Sequence, residues 1–193
     1  MLICAASNNA GKLKELRRIL ERMGHEVKSL RELGIGLDPE ETGATFAENA
    51  RIKAEAFCKA SGLPTVADDS GLCVDALGGA PGVYSARYSG GDSKDNISLL
   101  LKNLQKAEES GDRDRTAHFS CAVALVFPDG REITAEGRTY GYITKEELGT
   151  SGFGYDPVFF STELGKTFAQ ASEEEKNSVS HRARALRALE EKL

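Results

Sequence analysis

The spacing of apolar residues at the start of the chain predicts a strand, a polar loop and a helix. Leu2 to Ala6 is a short apolar run, and apolar residues then recur at helical spacing from Leu13 to Met23. The polar segment Ser7-Asn8-Asn9 separates the two, and Gly24 ends the helical pattern. We therefore expect a strand followed by a helix, with a second strand over His25 to Leu30.

Two further helices are predicted by their capping residues. Thr45 and Glu48 have the spacing of a capping box, and an apolar face follows them as far as Gly62. Asp92 can cap another helix, which the pattern ends at Ser110-Gly111. Both segments carry apolar residues on one side only, which indicates helices that cover a core.

The middle of the chain predicts strands. Ala117 to Phe127 and Arg131 to Ile143 are long strand-forming segments joined by the turn Pro128-Asp129-Gly130. Together with the strand and helix alternation at the start, they predict an α/β fold, a mixed sheet covered by helices. The length of 193 residues favours one domain, residues 1–193, built as two lobes without a linker. At twice the usual strand length, Ala117 to Phe127 is expected to run through both lobes.

Composition and charge exclude several classes of protein. The net charge is −5 with no basic stripe, which argues against binding to nucleic acid. No segment reaches the roughly 18 apolar residues of a membrane span, and the apolar start is too short for a signal peptide. Three histidines without zinc-ligand spacing leave carboxylates as the expected metal ligands. Four scattered cysteines indicate structural thiols in a reduced, cytoplasmic protein: Cys4, Cys58, Cys73 and Cys121.

The first candidate site is the segment from Ser7 to Lys12, between the first strand and the first helix. Backbone N–H groups at a helix N-terminus and a lysine one turn in can bind phosphate. The segment is not a P-loop, because the first glycine of that motif is missing and Leu13 follows the lysine. An ordinary helix capped by Asn9 explains the same residues.

The second candidate is the acidic pair Asp68-Asp69. We expect it in a turn, Asp68 to Gly71, between short strands at Pro64 to Ala67 and Leu72 to Val74. Paired carboxylates repel each other unless a hard cation or a shared proton offsets the repulsion, so Mg²⁺ would suit this site. A solvated turn is the plainer interpretation. Two more carboxylates are available from an earlier loop, Glu40 and Glu41.

The third candidate is the glycine-rich segment from Gly152 to Pro157. Its glycines would let the backbone approach a flat ligand, an aromatic ring could stack on a base, and Asp156 could accept a hydrogen bond. The alternative is a loop whose two aromatic residues, Phe153 and Tyr155, cover the core.

The fourth candidate lies in the C-terminal helical sequence that begins at about Glu173. On one straight helix Lys176 and the pair His181-Arg182 would face different directions. Asn177, Ser178 and Ser180 are N-cap residue types. We therefore predict a break there, with Ser180 capping a new helix, although one continuous surface helix is the alternative.

In this order, the segments resemble those of the inosine and xanthosine triphosphate pyrophosphatases, which remove deaminated purine nucleotides from the precursor pool. The family often has Thr-Gly-Asn where this chain has Ser7-Asn8-Asn9, so Asn8 replaces a glycine. The resemblance covers nearly the whole chain, and the segments that carry it are SNNAGKLKEL, EETGATFAENARIKA, ADDSGLCVDALGGAPGVYSARYSG, GFGYDPVFF and EEKNSVSHRARAL.

The resemblance implies roles for phosphate and metal binding. Asp69 would hold Mg²⁺ and help to activate water, and Ser70 would touch the substrate. Glu40 is preferred to Glu41 as the further metal ligand, because it lies three residues before Gly43. The residues expected to bind or neutralise the phosphates are Ser7, Asn8, Asn9, Ala10, Gly11, Lys12 and Lys53.

The resemblance also implies a purine pocket and an architecture. The family fold is an elongated α/β protein with a central cleft between two lobes, and it usually forms a homodimer in the cytoplasm. The residues expected in the purine pocket are Phe153, Gly154, Tyr155, Asp156, Lys176, His181 and Arg182.

The implied reaction is Mg²⁺-dependent hydrolysis of ITP, dITP or XTP to the monophosphate and pyrophosphate. Either Asp68 or Asp69 could orient or deprotonate the water, and the sequence leaves both possibilities open. Three alternatives remain: a nucleotide-binding protein without hydrolysis, a pyrophosphatase of other nucleotides, and an RNA-binding protein that stacks bases on Phe153 and Tyr155. The acidic charge balance disfavours the last.

Overall fold

The chain folds into seven β-strands and five α-helices, and the computed structural model describes every residue from Met1 to Leu193. Two short 3₁₀ helices follow the third strand. In chain order the elements are β1 (Leu2–Ala5), α1 (Ala10–Arg22), β2 (Glu26–Ser29), α2 (Phe46–Ser61), β3 (Thr65–Val74), α3 (Ser93–Glu109), β4 (Thr116–Val126), β5 (Glu132–Ile143), β6 (Phe159–Ser161), β7 (Lys166–Thr167), α4 (Glu173–Val179) and α5 (His181–Glu190).

The helices begin and end where their capping residues predict. The Thr45 side chain accepts the N–H of Glu48 in a complete capping box at the start of α2. Gly62 ends α2 with a φ of 67°, the left-handed conformation that glycine adopts without strain. Asp92 caps α3, which ends at Ser110. These predictions are confirmed.

The strands form one mixed sheet of order β2-β1-β3-β4-β5-β6-β7. β1 pairs in parallel with β2 and with β3, as strands joined through covering helices do. β5 pairs antiparallel with β6, and β6 pairs antiparallel with β7. The predicted α/β class with a mixed sheet and flanking helices is therefore confirmed.

The acidic pair does not lie in a turn, so the prediction of two short strands around Asp68 to Gly71 is wrong. Thr65–Val74 is a single strand of 10 residues, and its first five residues are all buried. Aspartate favours turns because its carboxylate remains hydrated there. In β3 the carboxylates of Asp68 and Asp69 contact charged and polar side chains instead, so the backbone can stay extended and buried.

The chain divides into two compact units. The first unit comprises Met1–Asp69, Cys121–Gly137 and His181–Leu193, and the second comprises Ser70–Ser120 and Arg138–Ser180. The long strands β3, β4 and β5 each contribute residues to both units.

The core of the first unit consists of two apolar clusters that share the strands. One contains Val66 of β3 with leucines of α1 and α5, and the other contains Ala67 of β3 with alanines of α2. Successive residues of a strand point to opposite faces, so α1 and α5 cover one face of the first unit's strands and α2 covers the other.

The second unit has a core of its own. It is rich in aromatic residues, and the rings of Phe119 and Phe159 meet edge to face with centroids 4.7 Å apart. Leucines of α3 pack on the same cluster, including Leu100 and Leu104, which are fully buried. None of the helices in the chain is both long and apolar enough to cross a membrane.

The predicted break in the C-terminal helical segment is confirmed. α4 ends at Val179 and α5 starts at His181, and Ser180 between them has extended backbone angles, φ −65° and ψ 148°. These are the angles that an N-cap residue adopts. The assignment of Ser180 as the cap of α5 stays a prediction.

Three of the four cysteines should not react while the protein is folded. Cys4, Cys58 and Cys121 are buried and free, and burial raises the pKa of each thiol above its usual value. Ellman's reagent should therefore modify at most the half-buried Cys73 in native protein and all four thiols after unfolding. Rapid modification of several thiols in folded protein would contradict the structure.

Candidate active site

The extended backbone of β3 gives the two adjacent aspartates different surroundings. Asp68 follows Val66 by two residues and therefore points to the face covered by α1 and α5. Asp69 follows Ala67 and points to the face covered by α2. Both residues are buried, with 1% and 6% of their surfaces exposed. One strand thus presents a carboxylate to each layer of helices.

Asp68 is held by positive charges. Nε and one terminal nitrogen of Arg182 both lie 3.0 Å from Oδ2 of Asp68, and Nζ of Lys12 lies 3.4 Å from the same oxygen. The guanidinium of Arg182 also donates to Glu15 on α1. Burial alone would raise the pKa of Asp68, but the charges of Arg182, Lys12 and Lys53 outweigh burial and hold the pKa well below its usual value. Asp68 is therefore ionised throughout the physiological range.

Asp69 is less strongly compensated. Asn49 donates from Nδ2 to Oδ2 of Asp69 at 3.1 Å, and Nζ of Lys53 lies 3.7 Å from Oδ1. Burial raises the pKa of Asp69 above its usual value, and Lys53 and Lys12 only partly oppose that effect. Environments that push the pKa values of neighbouring acids in opposite directions are typical of sites with distinct acid and base roles.

Lys53 contacts both Asp69 and the acidic loop, the segment before α2 that carries Glu40 and Glu41. Its Nζ lies 2.9 Å from Oε1 of Glu41, whereas Glu40 is exposed. Burial would lower the pKa of Lys53, but Asp69, Asp68 and Glu41 raise it above its usual value, so Lys53 stays charged. The contacts thus favour Glu41, and not the expected Glu40, as the carboxylate that accompanies Asp69.

The segment before α1 forms a capped helix N-terminus. The Asn9 side chain accepts the N–H of Lys12 at 3.0 Å, and the N–H of Asn9 donates to the Ser7 hydroxyl at 3.3 Å. Asn8 and Asn9 are exposed. No residue other than glycine has a positive φ, so the backbone at Asn8 does not require the glycine that the resembling family often has there.

In the second unit, Asp156 organises the glycine-rich loop. Oδ2 of Asp156 accepts the N–H of Phe153 at 2.8 Å and the ammonium of Lys176 at 2.7 Å. The Lys176 ammonium lies 4.6 Å from the centre of the Phe153 ring, a cation–π contact. The structure therefore brings three of the predicted purine-pocket residues together in the second unit.

Other residues predicted for the purine pocket have different contacts. The Tyr155 ring belongs to the aromatic core, and its hydroxyl donates to the backbone oxygen of Ser85 at 2.8 Å. Tyr155 therefore does not present a face for stacking, and Phe153 remains the candidate. Arg182 is 1% exposed and engaged with Asp68, while His181 is 5% exposed.

Sequence reasoning missed two residues that contact the acidic pair. Glu15 reaches Arg182, and it lies three residues after Lys12 on one face of α1. Asn49 reaches Asp69, and it lies four residues before Lys53 on one face of α2. The helical spacing to a predicted lysine was the available signal in both cases.

The chain is similar to known proteins over its full length. The family model described as Ham1 family matches residues 3–192. A dITP/XTP pyrophosphatase of Bacillus licheniformis is 50% identical over 189 residues, which cover 97% of this chain and 95% of that protein. A dITP/XTP pyrophosphatase of Bacillus subtilis is 50% identical over 186 residues, which cover 95% of this chain and 92% of the relative.

Solved structures show the same fold. The Staphylococcus aureus Ham1 protein superposes with a TM-score of 0.85 and 41% identity, covering 99% of this chain and 97% of the other. A nucleoside-triphosphatase / dITP/XTP pyrophosphatase of Mycobacterium abscessus superposes with a TM-score of 0.76 and 49% identity, covering 98% of both chains.

Arg182→Ala should lower the free energy of unfolding by about 3–5 kcal/mol, because it removes the principal counter-charge of the buried Asp68. Urea unfolding measures the loss. Arg187→Ala is the matched control, since Arg187 is exposed on the same helix and its Nε donates to the backbone oxygen of Ala183. The control should stay within about 0.5 kcal/mol of wild type. Equal losses in the two variants would show that Arg182 does not stabilise Asp68.

Proposed function

Because the chain belongs to the Ham1 family, we propose that it hydrolyses ITP, dITP and XTP to the monophosphate and pyrophosphate. This substrate class is supported by the relatives named dITP/XTP pyrophosphatase, which are 50% identical to this chain over nearly its whole length. The structural observation that carries the proposal is the buried pair Asp68 and Asp69, compensated by Lys12 and Lys53. Such a group suits hydrolysis of an anionic substrate.

The phosphates are proposed to bind at the start of α1. The first N–H groups of a helix lack intrahelical partners and attract anions, and the segment Ser7 to Gly11 presents them with its polar side chains. Lys12 and Lys53 add positive charge where the polyphosphate is most negative. Ser70 directly follows the acidic pair on β3 and is half-buried, which supports its assignment as a substrate contact.

Asp69 is proposed to activate the water. A base must accept a proton, and Asp69 is the carboxylate that carries less compensating charge, whereas Oδ2 of Asp68 is shared by Arg182 and Lys12. Water would attack the α-phosphorus and transfer a proton to Asp69. The bond from the α-phosphorus to the bridging oxygen would break, and pyrophosphate would leave with the electron pair. Asp68 would remain ionised and would hold the side chains of Arg182 and Lys12 in place through its ion pairs.

The donor set fits Mg²⁺. Glu41 and Asp69 direct carboxylate oxygens at one cation, the Lys53 ammonium, and hard oxygen ligands are those that Mg²⁺ prefers. Mg²⁺ is usually bound by one or two carboxylates together with substrate phosphates, and two protein ligands fit that pattern. When bound, Mg²⁺ would neutralise charge on the polyphosphate. We assign Glu41 and Asp69 as its protein ligands.

The second unit is proposed to recognise the base. Lys176 is a donor whose position is fixed by Asp156, and the Phe153 ring beside it provides a surface for stacking. Hypoxanthine and xanthine present a carbonyl at C6, which accepts a hydrogen bond from an ammonium. Adenine presents an amino group there, so donor would meet donor. The contacts of Arg182, which the resemblance also implied for the purine pocket, support instead a role in holding Asp68.

Three properties implied by the resemblance complete the proposal. Residues 1–193 act as one functional domain, which the match over residues 3–192 supports. The protein forms a homodimer, and it works in the cytoplasm on the free nucleotide pool. Its partner is a small nucleotide, with no part for nucleic acid or membrane.

Pyrophosphate release from ITP, XTP, dITP, ATP and GTP, with and without Mg²⁺, tests the proposal. We expect turnover of the first three only with Mg²⁺, and kcat/KM for ITP at least about 100-fold above that for ATP, since a mismatched buried donor costs about 3 kcal/mol. Binding of ITP without pyrophosphate release would identify a nucleotide-binding protein instead. An ITP to ATP ratio near one would contradict the assigned base recognition.

A further inference from the structure

Asn49 is a buried amide at the fourth position of α2, and neither the sequence patterns nor the resemblance assigned it a role. None of its surface is exposed. Its Oδ1 accepts the N–H of Gly43 at 2.8 Å, and its Nδ2 donates to Oδ2 of Asp69 at 3.1 Å. One side chain therefore connects the loop before α2 to the acidic residue of β3.

Gly43 determines which way the Asn49 amide points. A backbone N–H can only donate, so the Asn49 oxygen must face Gly43 and the NH₂ group must face Asp69. The approach is close, because a Cβ at Gly43 would lie 2.7 Å from Oδ1 of Asn49 and 2.6 Å from Cβ of Glu48. The loop thereby fixes Nδ2 of Asn49 as a donor to the carboxylate.

α2 holds both oxygens of Asp69 and the acidic loop from one face. Asn49 and Lys53 are four residues apart, so their side chains are neighbours on the helix. Asn49 bonds Oδ2 of Asp69 while Lys53 faces Oδ1, and the same two residues contact Gly43 and Glu41 of the loop. Contacts to both oxygens restrict rotation of the carboxylate.

α3 contains a structurally equivalent asparagine that has no carboxylate partner. Asn96 is also the fourth residue after an N-cap with a capping box. Its Oδ1 accepts the N–H of Ser89 at 2.8 Å, and its Nδ2 donates to the backbone oxygen of Ala86 at 3.3 Å. Both asparagines accept a hydrogen bond from a backbone N–H of the loop that precedes their helix. Only Asn49 also donates to a buried aspartate.

We propose that Asn49 is a positioning residue for the hydrolysis, orienting the Asp69 carboxylate toward the reacting water. The inference rests on the proposed function, in which Asp69 accepts the proton. Because Asn49 touches neither water nor phosphate in this role, its loss should slow turnover and leave substrate binding nearly unchanged.

Asn49→Asp is the sharpest test. The substitution keeps the size of the side chain and an oxygen for Gly43, but it replaces the donor to Asp69 by a like charge. We expect kcat for ITP to fall at least about 30-fold with KM within about 3-fold of wild type. Gly43→Ala would displace the Asn49 amide from the loop side, and it should also lower kcat.

Asn96→Asp is the matched control. It should keep kcat within about 3-fold of wild type, and urea unfolding measures the stability that each of the two variants loses. Equal losses of kcat in both variants, or a kcat for Asn49→Asp within about 3-fold of wild type, would overturn the inference. If Asn49→Asp does not fold, Asn49→Ser is measured in its place and judged by the same criteria. If neither variant folds, Asn49 serves folding and the inference is overturned. Inactive wild-type protein would instead refute the proposed function.

Discussion

The alternation of side chains along β3 is the constraint on which the rest of the site depends. Asp68 and Asp69 are adjacent, yet the pleat of the strand directs them to opposite faces. Each buried carboxylate must then find compensation within the layer of helices that it meets, because an uncompensated buried charge is too costly to retain. The chemistry of the site follows from how differently the two layers provide that compensation.

The two helix layers compensate the two carboxylates to different degrees. α1 and α5 provide Lys12 and Arg182, which hold Asp68 as a permanent anion and link it to Glu15. α2 provides an amide and a single ammonium for Asp69, and that ammonium is shared with Glu41 of the acidic loop. A carboxylate that folding leaves partly compensated can accept a proton or a cation, and this is the role proposed for Asp69.

Local signals in the sequence predicted the helices well. The caps at Thr45 and Asp92 are closed by bonds between residues two or three apart, so their pattern is visible in a short segment. The break at Ser180 was predictable for the same reason, since N-cap residue types interrupt the helical run there.

Contacts between distant parts of the chain decided the rest. The turn expected at Asp68 gave way to a strand because Arg182, 114 residues away, compensates the carboxylate. The proposal of Glu41 as a metal ligand, where the spacing to Gly43 favoured Glu40, rests on the contact between Glu41 and Lys53, which a sequence offset does not reveal. The position of Tyr155 could not be predicted either. From the sequence, an aromatic ring in a glycine-rich loop can equally pack in the core or stack on a ligand, and a contact with Ser85 shows which applies here.

The most direct measurement compares Asp68→Asn with Asp69→Asn in urea unfolding and in turnover of ITP. Loss of the compensated anion should lower the free energy of unfolding of Asp68→Asn by about 3 kcal/mol or more. Asp69→Asn should leave the free energy of unfolding unchanged or raise it, because a neutral amide avoids burying a charge, while kcat falls at least about 100-fold. Equal effects of the two substitutions on stability, or more than about a tenth of wild-type kcat in Asp69→Asn, would contradict this division of roles.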